Sequence, residues 1–157
     1  MSSPHPLQEA IRNYLLEHDW FRRPRPIPIF TRDEGDLQNR ILAALGSLEG
    51  GLAVLVTVPS GINNAPESAA VRLDSQVFIE CFELPLVSRA PGGIGKTAYG
   101  AARLLQRPNS GPNKGLHGWL PPGEGYRLRA TGYVSENNPE SGGLLVVASF
   151  KFIETLI

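Results

Sequence analysis

The feature that most constrains the fold is the apolar run from Leu52 to Val58, which is interrupted only by Thr57. The run is rich in β-branched residues, and it is much shorter than the roughly 20 residues of a membrane-spanning helix. A short apolar run of this kind is typical of a strand that is buried on both faces of its sheet. We therefore expect a central strand here, with other elements covering both of its faces.

A second segment, Val71 to Glu83, alternates between apolar and polar residues, as a strand with one buried face does. The apolar face carries Val71, Leu73, Val77, Ile79 and Cys81, and the polar face carries Arg72, Asp74, Gln76 and Glu80. The segment is long for a strand. We expect it to project beyond its sheet or to form one arm of a hairpin.

The remaining periodic segments complete a fold of the α/β class, of the α+β type. The predicted helices cover Leu7 to Trp20, residues 37 to 48 and residues 96 to 106; the further strands cover Ile27 to Phe30, Tyr126 to Val134 and Leu144 to Ile157. The resulting order is α-β-α-β-β-α-β-β. It predicts one domain over residues 1–157, with a mixed, mainly antiparallel sheet and two or three helices packed on it.

The composition excludes several classes of protein. The 15 basic residues balance the 15 acidic ones, so no global field attracts nucleic acid or anionic lipid. The 17 glycines and 14 prolines indicate long or sharply turned loops. The single cysteine, Cys81, excludes an intrachain disulfide and a cysteine-rich zinc site. With no signal peptide apparent at the start, we expect a soluble intracellular protein.

The segment Ala90 to Thr97 nearly matches the phosphate-binding P-loop, except that alanine replaces the first glycine. In a P-loop enzyme, Lys96 and Thr97 would contact phosphate and magnesium. The context disfavours this, because Pro85 breaks the segment just upstream and no later apolar run ends in aspartate. A glycine-rich loop that caps a helix is the favoured interpretation, and a nucleotide-binding enzyme is kept as the alternative.

Other reactive side chains give weaker signals. His117 lies beside Trp119, but no positioned partner for a catalytic base is visible. Ser60 follows a predicted buried strand, yet the residues around it do not form a nucleophile elbow. We therefore expect no catalytic residue, no cofactor and no metal ion.

A basic, proline-stiffened connector contains Arg22, Arg23 and Arg25. These arginines could contact the phosphate backbone of DNA. Arginines on a linker are more often solvated, or paired with carboxylates of a neighbouring subunit. We keep both interpretations.

Long strands and long loops without a convincing active site favour a subunit of an assembly. The chain resembles the tail terminator family of bacteriophages in the order of its segments. The resemblance rests on two predicted helices and the central strand at Gly51 to Val56, a long strand ending near Glu83-Leu84-Pro85-Leu86, a further helix, the segment Leu116-His117-Gly118-Trp119 and a final pair of strands.

The resemblance implies a virion protein, assembled in the host cytoplasm, that is not an enzyme. Its α/β subunits would close into a hexameric ring on the end of the tail tube, stop tube polymerisation and bind the head connector, while DNA passes through the lumen without being read. The expected subunit contacts are Val71, Leu73, Val77, Ile79, Phe150 and Phe152. The glycine-rich loop at 91–95 and the proline-rich segment at 107–125 depart from the family and leave another neck or baseplate role open.

Overall fold

Six strands form one mixed sheet in the computed structural model, which describes residues 5–47, 50–59, 61–63, 71–138 and 143–156. The strands are β1 (Ile29–Thr31), β2 (Leu52–Thr57), β3 (Gly61–Asn63), β4 (Val71–Glu83), β5 (Arg129–Asn138) and β6 (Gly143–Leu156). The helices are α1 (Pro6–Glu17), α2 (Asp19–Arg22), α3 (Leu37–Gly46), α4 (Pro85–Ser88) and α5 (Ala98–Leu105).

The strands follow the order β1-β2-β4-β6-β5, and the short β3 pairs with β4 beside this path. β1 and β2 are parallel, and the other pairs are antiparallel. β4 pairs with β6 along its whole length, from Val71 opposite Leu156 to Glu83 opposite Leu144. This confirms the predicted α+β fold with a mixed, mainly antiparallel sheet, and α1, α3 and α5 are the helices packed on it.

The main core lies between the sheet and a layer formed by α1 and α5. α1 buries Leu7, Ile11 and Leu15, which recur every four residues and so share one side of the helix. α5 buries Ala98, Ala101 and Ala102, and these small side chains let it approach β4 and β6 closely. The helical spacing in the sequence therefore identified the buried sides of both helices.

β2 is the central strand that its apolar run predicts. Leu52, Val54 and Val56 belong to the main core. Ala53 and Leu55 face the other side of the sheet, in a smaller cluster beneath α3. Because both faces are covered, the strand needs no polar side chain.

The segment between α5 and β5 has no regular structure but is anchored in the core. Leu116 and Leu128 are fully buried, and the main chain of Leu116 and Gly118 donates hydrogen bonds to Leu105 and Leu128.

The edge of β5 has hydrogen-bonded N–H groups at its start. There, the Ala130 N–H donates to His117 Nδ1 at 3.0 Å and the Gly132 N–H donates to Gln106 Oε1 at 2.8 Å.

Some boundaries differ from the predicted ones. The predicted first helix divides at His18, whose extended backbone (ψ 127°) ends α1 and whose side chain caps α2. β5 begins at Arg129 rather than Tyr126, because Leu128 turns into the core first. The short elements α2, α4 and β3 were not predicted. No helix within the described ranges is long and apolar enough to cross a membrane.

Candidate functional site

Over β6, β5 and β4 apart from Phe82, which packs beside the cluster beneath α3, the described helices cover one face of the sheet only. α5 packs on the face that carries Val77 and Ile79, whereas α3, on the opposite face, packs against β2. We call the uncovered face of these three strands the open face. Its described side chains include Phe78, Glu80, Val134, Leu145, Val147 and Ile153.

The strand register shows how the open face is built. Residues directly opposite each other on neighbouring strands point to the same side of the sheet. One such row runs from Leu55 in β2 through Glu80 and Val147 to Val134 in β5. Val134 is 65% exposed and Ile153 is 46% exposed. The open face therefore carries accessible apolar side chains, and the same register places the exposed charged residues Arg129, Lys151 and Glu136 beside them. Exposed apolar side chains rimmed by charged ones are typical of an interaction surface.

A carboxylate, Glu80, lies within the open face. Arg32 pairs with it at 2.9 Å and also donates to Thr57 Oγ1 at 3.3 Å. Burial raises the pKa of Glu80 above its ordinary value; Glu136 adds to this effect, and Arg32 opposes it. The charged form of this carboxylate is thus already partly desolvated before any partner covers the surface.

The predicted subunit contacts require a correction. Val77, Ile79, Phe150 and Phe152 are at most 3% exposed, because they face the helices and form part of the chain's own core. A neighbouring subunit could not reach them in the folded chain. The side chains of Val71 and Leu73, which were also predicted contacts, lie outside the described part of the structure.

The glycine-rich loop also differs from a phosphate cradle. It follows the short helix α4 rather than a strand, and it leads into α5. Thr97 caps α5 by accepting a hydrogen bond from the Gly100 N–H at 2.9 Å. Glu83 Oε1 accepts another from the Ala98 N–H at 2.8 Å. A carboxylate therefore occupies the end of the helix where a phosphate would bind.

Glu83 is a polar residue whose structural role was not predicted from the sequence. It is 1% exposed, and its other carboxylate oxygen contacts Ser88 Oγ at 3.3 Å and the Arg89 guanidinium at 3.2 Å. A signal was present, because the alternation of β4 places Glu83 on the inward face after Cys81. A buried carboxylate needs hydrogen-bond partners, so its position already indicated a structural network.

Lys96, the lysine of the P-loop-like segment, binds the main chain. Its ammonium group donates to the carbonyl oxygens of Trp20 and Arg23 and lies 4.5 Å from the centre of the Trp20 ring. Burial lowers the pKa of Lys96. The side chain thus links the loop to the end of α2 and is not directed at an empty cradle.

The arginines of the connector have partners within the chain. Arg22 pairs with Asp19 at 2.6 Å, and Arg23 lies 3.8 Å from the same carboxylate. The hydrogen bond from Arg22 is the main cause that lowers the pKa of Asp19. Arg25 donates to the Gly92 carbonyl oxygen at 2.8 Å. The sequence left open whether these arginines are solvated or paired with another subunit. In the structure, they contact a carboxylate and a carbonyl group of their own chain.

The remaining reactive side chains have structural contacts. His5 and His18 cap α1 and α2, and His117 accepts from the edge of β5. Cys81 is buried, and burial raises the pKa of its thiol to about 12. Ser60 lies outside the described residues. Among the described residues, no group of three or more His, Cys, Asp or Glu side chains could hold a metal ion.

Comparisons with known proteins add no relative to this picture. No protein-family model matches the chain, and a search of curated proteins finds no match. The fold, the open face and the contacts of Glu83 and Lys96 are therefore the basis of the function that we propose.

Proposed function

We propose that this chain is a structural virion protein of a bacteriophage tail. It assembles into a ring, hexameric as in the tail terminator family it resembles, and caps the end of the tail tube. The ring stops tube polymerisation and joins the tube to the head connector, and the genomic DNA passes through its channel. The single observation that carries this proposal is the open face, a sheet surface with exposed apolar side chains that the described helices leave uncovered.

An exposed apolar surface favours association, because covering it removes apolar area from water. Val134, Val147 and Leu145 lie side by side on β5 and β6, so a partner would bury a continuous surface. A ring needs a heterologous contact, in which this surface meets a different surface of the next copy and the rotation closes. The open face supplies one side of such a contact.

The pairing of β4 with β6 supports the same proposal. β2 pairs with β4 only from Phe78 to Glu83, whereas β6 pairs with β4 along its full length. Both β2 and β5 have stopped pairing beyond the Gln76–Lys151 pair, so β4 and β6 continue from there as a two-stranded arm. Among the described residues, only the short β3 pairs beside this arm. An arm of this kind can reach a neighbouring subunit or the end of the tube.

The contacts of the described residues do not favour the alternative of a P-loop enzyme, because the groups that would bind a phosphate are already occupied. Glu83 would repel a phosphate at the start of α5, and Lys96 is bound to two main-chain carbonyl groups. Another neck or baseplate subunit would use the same ring and open face. It would differ from a terminator in the filament end to which it binds.

The test is a pair of matched substitutions followed by native mass spectrometry across a range of protein concentrations. We expect wild-type rings, and we expect Val134→Lys to give monomers, because it places a charge in the covered surface. Leu86→Lys is the control, since Leu86 is 85% exposed on α4 and belongs to none of the strands that form the open face. It should leave the rings intact.

The terminator role is tested by adding each protein to polymerising tail-tube subunits and measuring tube length by electron microscopy. Wild-type protein should shorten the tubes, and Val134→Lys should not. Monomers alone at high concentration, together with no binding to tubes, would refute the proposal. Rings that do not bind the tube but bind a baseplate component would support the role of a baseplate subunit instead.

A further inference from the structure

The charge of this neutral chain is unevenly distributed. Residues 103–129 contain five basic side chains and a single carboxylate, Glu124, which leaves a net excess of four positive charges. Because the whole chain is neutral, the other residues carry a net excess of four negative charges. Within this stretch, Arg107, Lys114, Arg127 and Arg129 are all exposed. A local excess of arginine and lysine on a neutral protein is the electrostatic signature of a site for a polyanion.

Main-chain contacts bring these residues to one end of the sheet. The His117 N–H donates to the Arg107 carbonyl at 3.1 Å, and the Arg127 guanidinium donates to the Gly118 carbonyl at 2.8 Å. The His117 side chain, in turn, accepts from Ala130, next to Arg129. We call these exposed basic residues, whose backbones meet near the start of β5, the basic surface; they are Arg107, Lys114, Arg127, Arg129 and Lys151.

Two observations show that described carboxylates do not balance the charges of the basic surface. Arg129 lies directly opposite Lys151 on the neighbouring strand, and like charges in this position repel each other. Within the described ranges, no member of the surface takes part in an ion pair, whereas Arg22, Arg23 and Arg32 do. An anion bound across β5 and β6 would relieve this repulsion.

We propose that the basic surface binds the phosphate backbone of double-stranded DNA without reading its sequence. Arginine predominates in it, and the guanidinium group matches a phosphate in geometry as well as in charge. The charges are spread over a loop and two strands, which suits a repeating polyanion better than a single small anion. Binding itself follows from the charges. Arg129 and Lys151 lie at one end of the open face, so only their placement on the channel side of the contact between subunits rests on the proposed function.

The experiment measures the affinity for a fluorescent DNA duplex of arbitrary sequence by anisotropy, between about 50 and 200 mM salt. We expect micromolar binding by the wild type, which weakens steeply with salt. The variant Arg107→Gln/Arg129→Gln/Lys151→Gln should bind at least about tenfold more weakly. Its slope of log affinity against log salt should be smaller by about three, because each lost phosphate contact contributes about 0.9.

The matched control is Arg22→Gln/Arg23→Gln/Arg25→Gln, which removes the same charge from the connector. It should bind DNA within about twofold of the wild type, since these arginines already have partners in the chain. Thermal unfolding of both variants checks that they are folded. The inference is overturned if the wild type does not bind at 50 mM salt, or if both variants lose affinity equally.

Native mass spectrometry of the same samples separates this inference from the proposed function. Rings that do not bind DNA overturn only the inference about the basic surface. DNA binding by a protein that never forms rings overturns only the proposed function. A basic-surface variant that keeps its DNA affinity but loses the ring would assign the surface to carboxylates of a neighbouring copy and would overturn the inference.

Discussion

Glu83 shows how one buried side chain can determine the role of a whole loop. Its carboxylate binds the start of α5, the hydroxyl group of Ser88 and the guanidinium group of Arg89. These contacts hold α4, the glycine-rich loop and α5 against the end of β4. The contacts that anchor the loop at both ends are therefore also the contacts that occupy the start of α5, where a phosphate would bind.

We predict that Glu83→Ala lowers the free energy of unfolding by about 3 kcal/mol, because it removes the buried acceptor of three donors. Glu83→Gln should cost less, since its amide oxygen can still accept from Ala98. Ser88→Ala is the control and should cost about 1 kcal/mol, because one long hydrogen bond is lost. Urea denaturation followed by fluorescence measures all three. A cost below that of Ser88→Ala for the alanine variant would contradict the role of Glu83.

Glu80 gives a prediction about pH. Its pKa is raised in the folded state, so the folded chain retains this proton to a higher pH than the unfolded chain. The stability associated with Glu80 is therefore greatest at low pH and declines as the pH rises from its ordinary value of 4.5 through the raised value. Glu80→Gln should raise the unfolding temperature near pH 7 and have little effect near pH 4.

The control for Glu80 is Glu9→Gln, at an exposed carboxylate of α1 that pairs with Arg12. It should change the unfolding temperature little at either pH, because exposed ion pairs contribute little. Differential scanning calorimetry of both variants at the two pH values provides the comparison. A lower unfolding temperature of Glu80→Gln at neutral pH would mean that the Arg32 contact outweighs desolvation.

At the scale of elements, the sequence predicts those with a clear period. α1, α3, α5, β2 and β4 appear close to their predicted bounds, because their apolar residues repeat with the period of a helix or a strand. α2 and α4 have four residues each, which is too short to show a period. The periodicity of a helix also identifies its buried side without showing which face of the sheet it covers, so the open face could not be predicted.

At this scale, we predict that the link between the glycine-rich loop and α2 contributes to stability. Lys96→Ala should destabilise the fold by about 1–2 kcal/mol, because it removes the charged donor that links the loop to α2. Lys114→Ala, at an exposed lysine, is the control and should be nearly neutral. Chemical denaturation measures both. Calorimetric titration with magnesium-ATP should give no signal with wild-type protein; saturable binding that Lys96→Ala abolishes would favour the enzyme alternative.

At the scale of the whole molecule, the sequence predicts the fold class, but its pattern points to the wrong residues for contact with a neighbouring copy. It indicates the apolar residues of the alternating strands, such as Val77 and Phe150, and these form the chain's own core. The accessible candidates, the exposed Val134 and the half-buried Val147 among them, lie on the other face of the same strands. One-sided burial is set by where the helices pack, which depends on contacts between segments distant in sequence.

The occupied start of the β5 edge affects how copies of the chain can meet. An exposed strand with free N–H groups invites another strand to pair with it, and such pairing can repeat without limit. Here, His117 and Gln106 use the first donors of that edge. Stacking strand against strand is blocked at this point, which directs association towards the flat side of the sheet. A particle with a fixed number of copies is compatible with that geometry, and an endless amyloid-like fibre is disfavoured.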